Sequence, residues 1–122
     1  MDNKFYISLE AARLLKEKGY NEETIYYYNS AGKLYLGNGH FNYNAYAVNL
    51  SAPSKSEAID WLESKGITID IHWIRFNENR RWNYSIFNCS TCDTIDTKYI
   101  FPTRLEAEDA AIIRALKEIT KK

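Results

Sequence analysis

The feature that most constrains the fold is a change of hydrophobic period between residues 52 and 73. Ser54 and Glu57 have the spacing of a capping box, in which each side chain accepts a hydrogen bond from a backbone N–H at the start of a helix. Gly66 stands where such a helix would end in a left-handed residue, and Ile67 is placed to contact Leu62 as in a Schellman motif. After Gly66 apolar and polar residues alternate, which is typical of a half-buried strand. The segment therefore predicts a helix followed directly by a strand.

Similar signals divide the rest of the chain. Ser8 and Gly19 bracket one predicted helix, and Thr103 with Glu106 begins a last helix over residues 103–120. Further strands are predicted at residues 24–28, 33–36, 43–50, 81–87 and 97–101. Because all three helices are amphipathic, they should cover one side of the strands. The sequence predicts a single α+β domain over residues 1–122, with a largely antiparallel curved sheet and three helices on one face.

The order of these signals repeats. Gly19 and Gly66 are 47 residues apart, Asn29 and Asn77 are 48 apart, and Pro53 and Pro102 are 49 apart. Capping chemistry recurs in any helical protein, but the agreement of three spacings favours an internal repeat. The predicted pseudo-repeats span residues 8–50 and 54–101, each with the order α-β-β-β, and the helix at 103–120 closes the domain.

Composition narrows the class of protein. The chain has 16 basic and 16 acidic residues, so its formal net charge is zero, which disfavours non-specific binding to nucleic acid or membrane surfaces. No apolar run approaches the about 20 residues of a membrane span, and the N-terminal residues lack a signal-peptide pattern. Two cysteines in 122 residues do not indicate a disulfide scaffold. We therefore expect a cytoplasmic protein.

Few residues could carry catalysis or bind a metal. Cys89 and Cys92 have the C-x-x-C spacing of half a zinc site, but His40 and His72 are the only histidines and lie far from the pair in sequence. The same two histidines do not suggest a nucleophile–base pair, and no glycine-rich phosphate loop is present. The sequence predicts no catalytic residue, no metal and no cofactor, and a protein that is not an enzyme.

Several short motifs recur at helix starts and ends: Ser8-Leu9-Glu10, Lys16-Glu17-Lys18-Gly19, Pro53-Ser54 with Glu57-Ala58 and Trp61-Leu62, and Glu106-Ala107. In this pattern, which covers most of its length, the chain resembles a family of small uncharacterised proteins common in phage and prophage genomes. The resemblance implies no particular activity. It is consistent with a phage accessory protein that engages a host protein.

Two further patterns are similar to nucleic-acid-binding families. Residues 54–120 run α-β-β-β-α, and the stretch from Glu106 to Leu116 is similar to the last helix of double-stranded-RNA-binding domains, which implies RNA binding as the alternative function. Residues 8–15 resemble the helix-turn-helix of excisionase-type DNA binders, whose second helix would begin near Glu22. The run Tyr26-Tyr27-Tyr28 is more typical of a strand than of a recognition helix.

The aromatic content favours a binding surface on the sheet. A four-residue turn at 77–80 would pair Phe76 with Arg81, and would place on the helix side Ile67, Ile69, Ile71, Trp73, Trp82, Tyr84 and Ile86. A four-residue turn at 29–32 would send Ile25, Tyr27, Leu34 and Leu36 inward. The uncovered face would then carry Tyr26, Tyr28, Lys33, Tyr35, His72, Ile74, Phe76, Arg81 and Phe87. We predict that this face binds a protein partner or a second copy of the chain.

Overall fold

The computed structural model describes residues 4–76 and 79–119, and for Phe76, Tyr99 and Ile100 it describes the backbone alone. The described residues form three α-helices and six strands, with a 3-10 turn at Tyr43–Ala45. Their order is α1 (Leu9–Glu17), β1 (Thr24–Tyr28), β2 (Leu34–Phe41), β3 (Leu50–Ser51), α2 (Lys55–Ser64), β4 (Ile67–Phe76), β5 (Asn79–Asn88), β6 (Thr94–Phe101) and α3 (Arg104–Leu116). The α+β class is confirmed.

Each helix begins at its predicted cap. In the capping box of α2, Ser54 Oγ accepts a hydrogen bond from the Glu57 N–H at 3.1 Å, and Glu57 Oε1 accepts one from the Ser54 N–H at 2.9 Å. The hydroxyl oxygens of Ser8 and Thr103 cap α1 and α3 in the same way. Such caps satisfy N–H groups that have no partner within the helix, typically worth about 1 kcal/mol each.

The C-terminal end of α1 is a Schellman motif. Gly19 has a φ of +95°, and its N–H donates to the Lys16 carbonyl at 3.1 Å. The Tyr20 N–H donates to the Leu15 carbonyl at 2.9 Å. Gly66, with a φ of +91°, ends α2 at the equivalent position. Both glycines stand where an L side chain would be strained.

The strands divide between two antiparallel sheets of three strands, in the orders β2-β1-β3 and β4-β5-β6. The predicted strand at 43–50 is reduced to the two residues of β3. Local hydrogen bonds explain this difference: Asn44 Oδ1 accepts from the Ser51 N–H at 2.8 Å, and Ser51 Oγ accepts from the Asn44 N–H at 3.1 Å. These bonds hold the segment in a turn and compete with strand pairing.

The two halves share the order helix, hairpin, strand, but their third strands join differently. β3 pairs with β1, the first strand of its hairpin, whereas β6 pairs with β5, the second strand of its hairpin. The internal repeat therefore stays a prediction.

The hydrophobic core lies between the helices and the second sheet. α2 packs against β4, α3 packs across β4 and β5, and α1 packs against α3. The largest fully buried apolar side chains of the helices and strands are Leu15, Leu62, Ile86, Ile112 and Leu116. Burial of side chains of this size contributes about 1.5–3 kcal/mol each.

Two buried polar contacts join distant parts of this core. The Tyr84 hydroxyl donates to Asp96 Oδ2 at 2.9 Å, and burial, together with that carboxylate, raises the pKa of Tyr84 to about 12. Lys55, which is 7% exposed, donates from Nζ to the carbonyls of Lys4 and Tyr6. Burial lowers the pKa of Lys55. The lysine thus fixes the N-terminal segment to the first turn of α2.

The β4–β5 hairpin keeps the predicted faces but not the predicted register. Phe76 pairs with Asn79 rather than with Arg81, and Trp73 pairs with Trp82. Arg80 is therefore a strand residue, and the predicted turn at 77–80 is wrong; Asn77 and Glu78 lie outside the described residues. A shift of two residues leaves every side chain on its original face, because side chains alternate with a period of two.

The first hairpin differs from the prediction by one residue. The Asn29 N–H donates to the Lys33 carbonyl at 3.0 Å, and Gly32 between them has a φ of +78°. This geometry is a three-residue loop that ends in a left-handed glycine, so Tyr28 pairs with Leu34 instead of Lys33. A one-residue slip turns a whole strand over.

Candidate protein interface

The slip in the first hairpin corrects two of the predicted site residues. Tyr28 is 7% exposed, and its hydroxyl donates to the Ile7 carbonyl at 2.8 Å. Tyr26 packs against the core, with its ring 4.2 Å from that of Tyr6. Both tyrosines face inward, so their prediction as surface residues is wrong, whereas Lys33 and Tyr35 are exposed as predicted.

The four residues predicted to face inward in that hairpin differ in outcome. Tyr27 lies on the outer face, opposite Tyr35, so its predicted position is wrong. Ile25 and Leu36 are 36% and 62% exposed, although Leu36 pairs with the inward-facing Tyr26. Leu34 does pack against the core.

The outer face of the second sheet is largely polar. His72 is exposed and Ile74, Arg81 and Phe87 are half-buried there, but between them lie Asp70, Asn83, Ser85 and Thr97. The Phe76 side chain lies outside the described residues. This face therefore resembles a solvated sheet surface, and it does not form the continuous aromatic surface that was predicted across both hairpins.

An aromatic stack lies instead on the outer face of the first sheet. It consists of Tyr35, Tyr27, Tyr43 and Phe41, each ring contacting the next, with centroid distances of 6.1, 4.5 and 5.9 Å. Tyr43 is 7% exposed, whereas Tyr35 and Phe41 at the ends are 44% and 50% exposed. The two outer rings are thus held by the half-buried Tyr27 and the buried Tyr43.

A glycine makes room for this stack. A Cβ at Gly37 would lie 1.9 Å from the Tyr43 hydroxyl oxygen, so the Tyr43 ring occupies the space of a side chain on β2. The Tyr43 hydroxyl donates to the Gly39 carbonyl at 3.0 Å. Burial raises the pKa of Tyr43, with a further contribution from Tyr27 and Tyr46. The ring is therefore fixed both sterically and by a hydrogen bond.

Exposed apolar side chains concentrate around the stack. Six of the eight large apolar side chains that are exposed in the described part of the chain belong to this sheet and the loop before β3. We call them the apolar edge: Ile25, Tyr35, Leu36, Phe41, Tyr46 and Val48. Lys16 fixes the loop that carries Tyr46, because its Nζ donates to the carbonyls of Tyr46, Ala47 and Asn49 at 2.7, 3.2 and 3.0 Å.

Sequence reasoning found Tyr35 but missed Tyr27, Phe41 and Tyr43. The signal was present in Asn29-Ser30-Ala31-Gly32, because a glycine at the end of such a turn favours the loop with one extra residue. A three-residue loop, if predicted from that glycine, would have placed Tyr27 on the outer face. The contact of Tyr43 with Gly37 depends on the fold of residues 42–45 and has no comparable signal.

The candidate metal and catalytic residues are not brought together. Cys89 and Cys92 are both exposed free thiols in the turn between β5 and β6, and the Cys89 Sγ lies 2.9 Å from Thr68 Oγ1. His72 contacts Asp70 at 3.1 Å on the strand surface, and His40 is exposed on β2. Among the described residues, no three His, Cys, Asp or Glu side chains form a group that could hold a metal ion.

An open pocket beside Trp61 is acidic. Glu22, Glu23, Glu57 and Asp60 line it, together with His40, Tyr20 and Trp61. Burial and the nearby Glu57 and Glu22 carboxylates raise the pKa of Tyr20. Since Glu57 already accepts the capping hydrogen bond of α2, this carboxylate has a structural role.

The structure contradicts one of the two resemblances to nucleic-acid-binding families and leaves the other as a prediction. Residues 24–28 form strand β1, so the second helix of a helix-turn-helix near Glu22 is not present. The order α2-β4-β5-β6-α3 is the α-β-β-β-α order predicted from the sequence for residues 54–120. RNA binding stays a prediction. At the start of α3, Arg104 lies 3.5 Å from Glu108, so its charge is already compensated.

No family model, no curated protein and no solved structure matches the chain. What the structure defines is an α+β protein in which most of the exposed large apolar side chains of the described residues lie on one small sheet and the loop before β3. Across residues 4–76 and 79–119, none of the helices has the length and apolar character needed to cross a membrane.

Proposed function

We propose that this chain is a non-enzymatic protein-interaction module that binds its partner through the apolar edge. The observation that carries the proposal is the concentration of six exposed apolar side chains on one sheet and its neighbouring loop. Exposed apolar residues scattered singly need no explanation, whereas a contiguous group indicates a site of association.

The construction of the edge supports this function. Tyr35 stacks on Tyr27 and Phe41 packs edge-on against Tyr43, so binding would immobilise few free rotamers. Rigid aromatic side chains provide contact area at a low entropic cost, and tyrosine and phenylalanine are enriched at protein interfaces.

The chemistry of the edge favours protein over nucleic acid. None of the six side chains of the apolar edge is charged, and phosphate binding requires several cations. The resemblance to small phage and prophage proteins extends the proposal to an accessory protein that engages a host protein. The partner is a second copy of the chain or a different protein, and the experiment below separates these two.

The test is the double variant Tyr35→Ser with Phe41→Ser. Sedimentation equilibrium of the purified wild-type chain shows whether it self-associates; if it is monomeric, retention of proteins from a host lysate is compared between wild type and variant. Loss of two aromatic anchors should weaken association by a factor of roughly several hundred, because such residues each contribute roughly 2 kcal/mol at interface centres. The free energy of unfolding should change by less than about 1 kcal/mol, since both side chains are half exposed.

Two controls make the result specific. Phe5→Ser removes a side chain that is 55% exposed but lies outside the apolar edge, and should leave association unchanged. Tyr28→Ser removes a buried ring and should destabilise the fold strongly. Unchanged association in the Tyr35/Phe41 variant, or equal loss in Phe5→Ser, would contradict the proposal.

A further inference from the structure

The far end of the β4–β5 hairpin is a second distinctive surface. Exposure rises along β4 from 6% at Ile67 to 55% at Trp73, so the hairpin extends away from the helices that cover its base. Trp73 pairs with Trp82, Arg75 with Arg80, and Ile74 with Arg81. We call the group Trp73, Arg75, Arg80 and Trp82, which share one face of the hairpin, the arginine tip.

The charges of the arginine tip are not compensated within the described part of the chain. Arg75 stands directly opposite Arg80 in the ladder, where like charges destabilise a sheet. No described carboxylate lies within ion-pair distance of either side chain. An anionic partner would relieve this repulsion.

The tip also presents an aromatic anchor. The Arg80 guanidinium lies 5.2 Å from the centre of the Trp73 ring, a distance typical of a cation–π contact. This contact orders the indole while more than half of its surface remains open. Tryptophan and arginine are the residues that most often dominate binding at protein interfaces.

The extent of the positively charged surface indicates which class of anionic partner fits the arginine tip. Arg104, at the start of α3, is paired with Glu108, and Asp70 lies further down β4. The formal net charge of the chain is zero. A nucleic-acid strand is normally bound along an extended cationic track, whereas two arginines beside one exposed indole match a short acidic peptide.

We propose that the arginine tip is a docking surface for an acidic segment of a partner protein. Carboxylates of the segment pair with Arg75 and Arg80, and an apolar part of it packs on Trp73. The surface belongs to the other sheet from the apolar edge, and the inference does not depend on the function proposed for that edge.

The experiment measures binding of fluorescein-labelled peptides to the full chain by fluorescence anisotropy. The probe is a peptide of alternating glutamate and serine that carries one leucine, and its glutamine counterpart is the uncharged reference. The acidic peptide should bind more tightly than the reference, and its affinity should fall as salt increases. Arg75→Gln should weaken binding about fivefold and Trp73→Ser about thirtyfold.

A matched variant and a stability measurement separate binding from structure. Arg13→Gln makes the same charge change at an exposed position on α1, and should not alter binding. Arg75→Gln should slightly raise the urea midpoint of unfolding, because it removes the like-charge pair. Equal affinities of Arg75→Gln and Arg13→Gln would overturn the proposal. So would a lower urea midpoint for Arg75→Gln, or tighter binding of a thymidine oligonucleotide than of the acidic peptide.

Discussion

Replacing Gly37 with alanine should disrupt the aromatic stack. A Cβ at this position would lie 1.9 Å from the Tyr43 hydroxyl oxygen, 2.7 Å from its Cζ and 2.9 Å from the Ile25 carbonyl oxygen. Such contacts cannot exist, so the Tyr43 ring or the strand must move. Overpacking of this kind costs about 1–3 kcal/mol, and loss of the Tyr43–Gly39 hydrogen bond adds about 1 kcal/mol. We expect a total loss of about 2–4 kcal/mol in the free energy of unfolding.

The chain offers a matched control two residues away. A Cβ at Gly39 would meet the Phe41 ring at 3.3 Å, and that half-exposed side chain can move by a few tenths of an ångström. Gly39→Ala should therefore cost less than about 1 kcal/mol. Urea unfolding followed by far-ultraviolet circular dichroism measures both variants.

A double-mutant cycle tests the proposed cause. In the background Tyr43→Ser the main obstacle is gone, so adding Gly37→Ala should cost at least about 1 kcal/mol less than it does in the wild-type chain. If Gly37→Ala is as mild as Gly39→Ala, or costs the same in both backgrounds, then Tyr43 does not fill the space above Gly37 and the description of the stack is wrong.

Two other predictions follow from the thiols and the buried tyrosines. Replacing Cys89 and Cys92 together with serine should change the free energy of unfolding by less than about 0.5 kcal/mol, because both are exposed; stoichiometric zinc in the purified protein, with unfolding on chelation, would refute this. The pKa of Tyr84 is raised to about 12, so its contribution to stability is complete below pH 10 and is lost as the pH rises towards 12. Tyr20, whose pKa is also raised, likewise stabilises the fold less as the pH rises. Lys55, whose pKa is lowered, has the opposite effect on the pH dependence of stability. Absorbance at the phenolate band should show part of the tyrosines ionising well above pH 10 in the folded chain, and titration of all of them near pH 10 would contradict the burial of Tyr84.

The helices could be predicted well because their signals are local. The bonds of the Ser54–Glu57 box join residues three apart, and Gly66 ends α2 through its own backbone conformation. Interactions of this range form whatever the rest of the chain does. The face of the β4–β5 hairpin was also predicted correctly although its register was wrong, since an error of two residues conserves the alternation.

The candidate site was harder to predict because it depends on register. A single residue, Gly32, decides whether Tyr27 or Tyr28 reaches the surface, and the turn it forms has alternatives that differ by one residue. Tyr35 was identified because it is exposed on the edge strand, whereas Tyr28 was misplaced by the slip.

The sequence alone determined where the helices begin, where α1 and α2 end, the α+β class and the face of the second hairpin, whereas α3 ends at Leu116 and not at residue 120 as predicted. The tertiary structure decided that the strands form two sheets, that Tyr43 packs over Gly37, and that Arg75 stands opposite Arg80. The physical reason is the range of the interactions. Caps act between residues a few positions apart, whereas sheet membership and ring stacking depend on contacts between segments whose relative positions are set by the whole core.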